Sequence, residues 1–177
     1  MPEAQRQDYV DSAAEDYDEL HETFPAMFRA SLFVMCMADF ENTLNGLAEL
    51  FKKAKKLEIS FKEIRGEGME RAKIYLKKVA RVGFPDELPH WATIKKFSAL
   101  RNILVHADGR IPAGHRDEAL LKKMIGANSG KLRLDRFQRI VLEREFIPYA
   151  LETLRGLHVE YSARLKKRYR ISRYSRR

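Results

Sequence analysis

The sequence predicts a mainly α protein, an antiparallel up-and-down helical bundle of four to five main helices with a small irregular or hairpin insertion. Three observations predict it. Apolar residues recur at intervals of three and four through most of the chain. The prolines after residue 20 and most of the glycines fall between these periodic stretches or in their first turns, Gly46 and Gly156 excepted. The stretch from Gly109 to Leu142 is the least regular part. With 177 residues, 45% of them hydrophobic and 33% charged, the chain has material for one good core, and one compact domain with tails is expected.

Residues 1–22 carry eight acids against Arg6, a net charge of −7, and read as an acidic N-terminal arm or surface helix with Tyr9 and Tyr17 as aromatic anchors. After Pro25, the set Phe33, Met37, Phe40, Leu44, Leu47, Phe51 and Ala54 is spaced 4,3,4,3,4,3, which keeps one apolar stripe in line along a long central helix. Residues 67–82 form a second amphipathic helix, introduced by Gly66 and Gly68 and closed by Gly83 and Pro85. Leu88, Trp91, Ile94, Phe97, Leu100 and Leu104 mark a third. Pro112 and Gly114 mark a loop, residues 116–125 a short helix, and KLRLDRFQRIVL a small hairpin or an extended strap. Phe146, Ala150, Leu154, Leu157, Tyr161 and Leu165 make the last helix, with Pro148 in its first turn, where the missing N–H costs nothing. The organisation is thus an arm over 1–22, a bundle domain over 23–165 and a basic tail over 166–177.

The composition argues against several functional classes. The N-terminus has neither a basic start nor an apolar core of the kind a secretory signal needs. The longest apolar run, Ala30 to Ala38, ends at Asp39 and is short of the roughly 20 residues that cross a bilayer, so no membrane partner is expected. Cys36 is the only cysteine and reads as a buried small hydrophobe; a cytoplasmic location fits it. His21, His90, His115 and His158 are scattered without an i,i+4 pair, so neither a metal nor any other cofactor is called for. Gly66 and Gly68 lack the preceding strand and the lysine of a phosphate loop, and Trp91 reads as a core anchor. The net charge of +9 is uneven: residues 164–177 hold eight bases and no acid. Arg164, Lys166, Lys167, Arg168, Arg170 and Arg173, with Tyr169 and Tyr174 interleaved, read either as an RNA-binding strip or as a solvated end.

The chemistry concentrates in SALRNILVHADG, residues 98–109, at the end of the third helix. Asn102 and His106 are four residues apart and project about 40° from one another, on one face. Arg101 and His106 are five apart and project about 140° from each other, so the arginine reaches the histidine most directly across a two-fold axis, from a second copy of the helix. That geometry predicts a homodimer. A histidine in the last turn sits at the negative end of the helix dipole, a place suited to acid–base work. Metal-free RNA cleavage needs a base for the 2′-hydroxyl, an acid for the leaving 5′-oxygen and a cation for the charged phosphorane. Two protomers supply paired His106 imidazoles, paired Arg101 guanidiniums and Asn102 amides to orient them. On residues alone a structural role stands beside this one, with His106 capping the helix and Arg101 pairing an acid such as Glu41. Arg110 and His115 repeat the spacing, but Pro112 and Gly114 between them forbid a helix.

The run RNILVH within ALRNILVHADG resembles the Arg-Asn-x-x-x-His signature of the HEPN superfamily, and the order of helices from Pro25 to Leu165 is similar to that of the family. The resemblance implies an up-and-down helical bundle that dimerises with its motif helices lining a shared cleft. It also implies metal-independent endoribonuclease activity of the toxin–antitoxin, defence or RNA-processing kind. Carried over, Arg101 and His106 are catalytic and Asn102 supports them. A polar or acidic residue on the central helix faces the cleft in such proteins, and between Asp39 and Glu41 the choice here is Glu41. RNA is the implied substrate, and any antitoxin is a separate chain. A non-catalytic helical dimer that binds RNA or a protein partner is the second reading.

Overall fold

The computed structural model describes residues 19–169 together with residues 3, 6, 7, 12, 13 and 17. Within residues 19–169, five α-helices and one two-stranded sheet follow in order: α1 Phe24–Ala54, α2 Gly68–Ile74, α3 Pro89–His106, α4 Glu118–Ala127, β1 Leu132–Leu134, β2 Ile140–Leu142 and α5 Phe146–Tyr169. The protein is mainly α, as the periodicity predicts. The chain groups into two compact units, Met1–Val34 with Asn102–Pro148, and Met35–Arg101 with Tyr149–Arg177, and α1 and α3 each run through both.

In the unit built from Met35–Arg101 and Tyr149–Arg177, the core takes Met37, Phe40, Leu44, Ala48 and Phe51 from α1, and Trp91, Ile94, Phe97 and Leu100 from α3. Ala48 replaces the expected Leu47, which is half-buried, and Ala54 is exposed. A helix of 3.6 residues per turn drifts about 20° per heptad from a strict seven-residue repeat, so after two heptads the buried line moves by one position. From α5 come Ala150, Leu154, Leu157, Tyr161 and Leu165, all expected. The Tyr161 hydroxyl donates to the Gly83 carbonyl at 2.9 Å, and burial pushes it well above the ordinary phenol range.

The helix read over 67–82 is α-helical only as far as Ile74; Tyr75–Val79 is one wider π turn, in which the Ala80 amide reaches back to the Tyr75 carbonyl at 2.9 Å. That turn fixes Ala80, whose carbonyl accepts from Lys55 Nζ at 2.7 Å. Gly68 lies against Glu41 while Ala80 lies against Lys55, so α2 runs in the direction of α1. The connection 55–67 doubles back to allow this; α3 and α5 are antiparallel, His90 lying against Gly156 and Phe97 against Tyr149.

In the other unit, Phe33 meets Phe146 edge-on at 5.2 Å, and Arg29 Nε donates to the Leu142 carbonyl. Leu121 and Met124 of α4 join Ile103, Leu132, Ile140 and Leu142 in the buried set. The residues KLRLDRFQRIVL do form a hairpin, with Leu132, Arg133 and Leu134 opposite Leu142, Val141 and Ile140. Leu20–Ala54 is long and apolar enough, by length and composition, to cross a bilayer, a test that the core helix of a soluble protein also passes. Averaged over a window it exceeds what its longest apolar run suggested. Phe24, Met27, Phe28 and Met35 of α1 are all more than half exposed.

Candidate active site

Arg101, Asn102 and His106 occupy the last two turns of α3, which is unbroken from Pro89 to His106, so the helical angles between them hold. Arg101 and Asn102 are half-buried, and each is engaged in an interaction within the fold. His106, the last helical residue, is exposed, and Val105 beside it is 46% exposed. The buried residue of this turn is Ile103, at 2% exposure; Leu104, expected on the stripe, is half-buried.

The stop after His106 has a specific construction. Asp108 and Gly109 both adopt left-handed backbone conformations, with φ of 49° and 74°. The Ala107 and Gly109 amides both reach the Ile103 carbonyl, at 3.0 and 3.1 Å, which closes the end of α3. The Gly109 carbonyl then accepts from the Ile140 amide at 2.9 Å, and Arg110 bridges to Arg139. The segment that ends the motif helix is therefore stitched to the root of the hairpin. The dipeptide Asp108-Gly109 signalled the stop; its second task, pairing with β2, left no sign in sequence.

Glu41 is half-buried on α1, its carboxylate against Gly68 at the start of α2, with Oε2 3.3 Å from where a β-carbon on residue 68 would stand. Arg164 is committed to acids, pairing with Glu160 at 2.9 Å and with Glu87. Arg168 donates to the Val82 carbonyl, Lys166 and Lys167 are exposed, and Arg170 and Arg173 lie outside the described residues. Cys36 is half-buried rather than buried; its partial burial, with Asp39 nearby, pushes its thiol up.

A cluster that sequence reasoning missed sits at the hairpin turn. Asp135 Oδ1 accepts from the Phe137 and Arg139 amides at 2.8 and 2.9 Å, and Oδ2 accepts from Arg139 Nε at 2.8 Å. Phe137 is 49% exposed at the tip, with the Arg136 and Arg139 guanidinium carbons 4.8 and 5.2 Å from its ring centre. An Asp-x-Phe-x-Arg run in a predicted hairpin was the available signal.

A groove of about 210 Å³ lies between Phe40–Leu50 of α1 and Leu157–Leu165 of α5, but His158 is its only ionisable side chain besides the buried Tyr161 phenol, and it lacks the paired groups that acid–base catalysis needs. Among the described residues no three His, Cys, Asp or Glu side chains are grouped to hold a metal ion. No family model, curated protein or solved structure matches the chain.

Proposed function

We propose that this protein is a homodimeric, metal-independent endoribonuclease of the HEPN type whose active site is formed by Arg101, Asn102 and His106 from two copies of α3. The observation that carries the reading is the exposed His106 at the terminus of an unbroken helix, with Asn102 one turn back on the same face. In the reaction, the 2′-oxygen of the RNA attacks the adjacent phosphorus while the bond to the 5′-oxygen breaks. One His106 takes the 2′-hydroxyl proton, and His106 of the partner subunit gives a proton to the leaving 5′-oxygen. Arg101 balances the charge that develops on the phosphorane oxygens. The exposed apolar side chains of α1 and Val105 supply surface for a second copy.

Incubation of RNA with purified protein in excess EDTA tests this. Wild type is expected to leave 2′,3′-cyclic phosphate and 5′-hydroxyl ends, and His106→Ala and Arg101→Ala each to abolish cleavage with the fold intact. Cleavage that survives His106→Ala would sink the proposal. The competing reading is a non-catalytic dimer that binds RNA or a protein, and the engaged, half-buried state of Arg101 and Asn102 favours it. Inhibition by a separate antitoxin chain belongs to the first reading.

A further inference from the structure

We infer that the hairpin turn Asp135–Arg139 is a single-stranded RNA-binding tip, in which Phe137 stacks on a base while Arg136 and Arg110 hold the flanking phosphates. The inference rests on the ribonuclease reading and assigns to that site the element that holds its substrate.

The turn is built to hold its shape. Three hydrogen bonds converge on the Asp135 carboxylate, the Gln138 amide returns to the Asp135 carbonyl at 3.0 Å, and Gln138 itself is left-handed at φ 60°. Partial burial works to raise the Asp135 carboxyl, but the Arg139 amide and guanidinium and the Phe137 amide outweigh it and hold it below the usual carboxylate range. The backbone of Phe137 is thereby fixed while its ring stays half in water. A ring so placed contributes little to the core, and its face is the surface on which a nucleobase stacks without regard to sequence.

The charges around it differ in their commitments. Arg139 is held by Asp135 at 2.8 Å and by Asp108 at 3.8 Å, and Arg133 pairs with Glu143 and Glu22. Arg136 and Arg110 are exposed and make no ion pair among the described residues, and the Arg136 guanidinium, like that of Arg139, lies over the Phe137 ring, a place that an incoming base would share or take over. Arg110 is bridged to Arg139, and side chains of bridged residues project to the same side, so Arg110 stands beside the committed arginine at the root of the turn. An aromatic ring with guanidiniums over it, and Arg136 and Arg110 without ion pairs among the described residues, matches a polyanion that carries stacking bases, whereas a protein partner would find only Phe137 and the 38% exposed Leu134 as apolar side chains here.

The tip is also tied to the proposed catalytic residue. Asp108, two residues after His106, contacts Arg139, and Gly109 hydrogen-bonds Ile140. A strand stacked on Phe137 therefore continues towards the exposed end of α3.

The test is fluorescence anisotropy with a labelled 2′-O-methyl single-stranded oligoribonucleotide, which 2′-hydroxyl chemistry cannot cleave, alongside cleavage of ordinary RNA. Phe137→Ala is expected to weaken binding about tenfold, a typical loss for one stacked base, and Phe137→Tyr to restore it. Arg136→Ala and Arg110→Ala should each weaken binding and lower the salt slope by about one. Circular dichroism checks that each variant folds. Wild-type binding that is unmoved by Phe137→Ala overturns the proposal, while cleavage by wild type in the same series leaves the ribonuclease reading standing. Binding that depends on Phe137 without cleavage supports the tip and removes the nuclease. No binding by wild type overturns the tip, and a change in oligomeric state on Phe137→Ala without a change in RNA binding assigns the tip to a protein contact instead.

Discussion

Gly156 of α5 lies directly against the imidazole of His90 on α3: a β-carbon at 156 would stand 2.5 Å from Nε2 and 2.8 Å from Cδ2. The other ring nitrogen, Nδ1, is buried without a hydrogen-bond partner, so the ring is held by packing and not by a polar anchor, and a β-carbon at 156 would have to displace it from that packing. Alanine normally improves a helix over glycine by about 0.5–1 kcal/mol. At 156 the overlap reverses that sign, and Gly156→Ala should destabilise by about 1–3 kcal/mol in urea denaturation, with His90→Ala in the same chain recovering most of the loss. Gly46 of α1 meets nothing within 4 Å, and Gly46→Ala should stabilise by the ordinary amount. Equal effects at the two sites would remove the close contact from the account.

Gly109 combines a left-handed backbone with a close neighbour. A β-carbon there would stand 3.3 Å from the Ile140 carbonyl oxygen and 3.4 Å from its amide nitrogen, and φ is 74°. Gly109→Ala is expected to cost about 1–3 kcal/mol and to raise amide exchange at Ile140, whose N–H donates to the Gly109 carbonyl. Unchanged exchange at Ile140 would mean that the stop after α3 and β2 are not coupled.

The depressed Asp135 carboxyl sets a pH window. A carboxyl whose folded value lies below its unfolded one contributes stability above the unfolded value, near 4, and loses it as pH falls through the folded value. The hairpin turn should therefore be indifferent to pH from neutrality down to about 4 and loosen below it. The nuclear magnetic resonances of the Phe137 and Arg139 amides should follow that titration, and Asp135→Asn should abolish it. A titration midpoint above 4 contradicts the hydrogen-bond pattern.

A two-subunit site requires the dimer. Phe28 and Met35 of α1 are 70% and 68% exposed, and only 17% of the most apolar 18-residue window of Leu20–Ala54 is buried. Phe28→Asp with Met35→Asp should shift sedimentation towards the monomer and, with it, lower RNA cleavage in proportion. A wild-type chain that sediments as a monomer at every concentration rules out the shared site.

The helices were legible because their buried faces repeat. All six positions read for the last helix, Phe146 to Leu165, are buried, since a short stripe does not drift far from its repeat. The thirty-one residues of α1 drift far enough to replace Leu47 with Ala48. The π turn at Tyr75–Val79 was hidden because nothing in the local spacing marks it, and the contact it serves, the Ala80 carbonyl meeting Lys55, is made to a residue twenty-five positions away. Around the candidate site, the motif and the Asp108-Gly109 stop were readable from local spacing. The pairing of Arg110 with Arg139 was not, because twenty-nine residues separate the partners and nothing local encodes their meeting.

Trp91, the only tryptophan, lies at 2% exposure with the Phe84 ring edge-on at 4.8 Å and the Lys73 ammonium 5.3 Å from its centre. Its indole N–H is buried without an acceptor, so its emission belongs at short wavelength and moves to the red only when water reaches it. All of these residues belong to the Met35–Arg101 and Tyr149–Arg177 unit. Tryptophan emission, excited at the red edge where tyrosine does not absorb, is therefore a reporter of one unit, blind to the hairpin and to the end of the motif helix. If this tryptophan emission and the helical ellipticity lose their signals at different denaturant concentrations, the two units open one at a time.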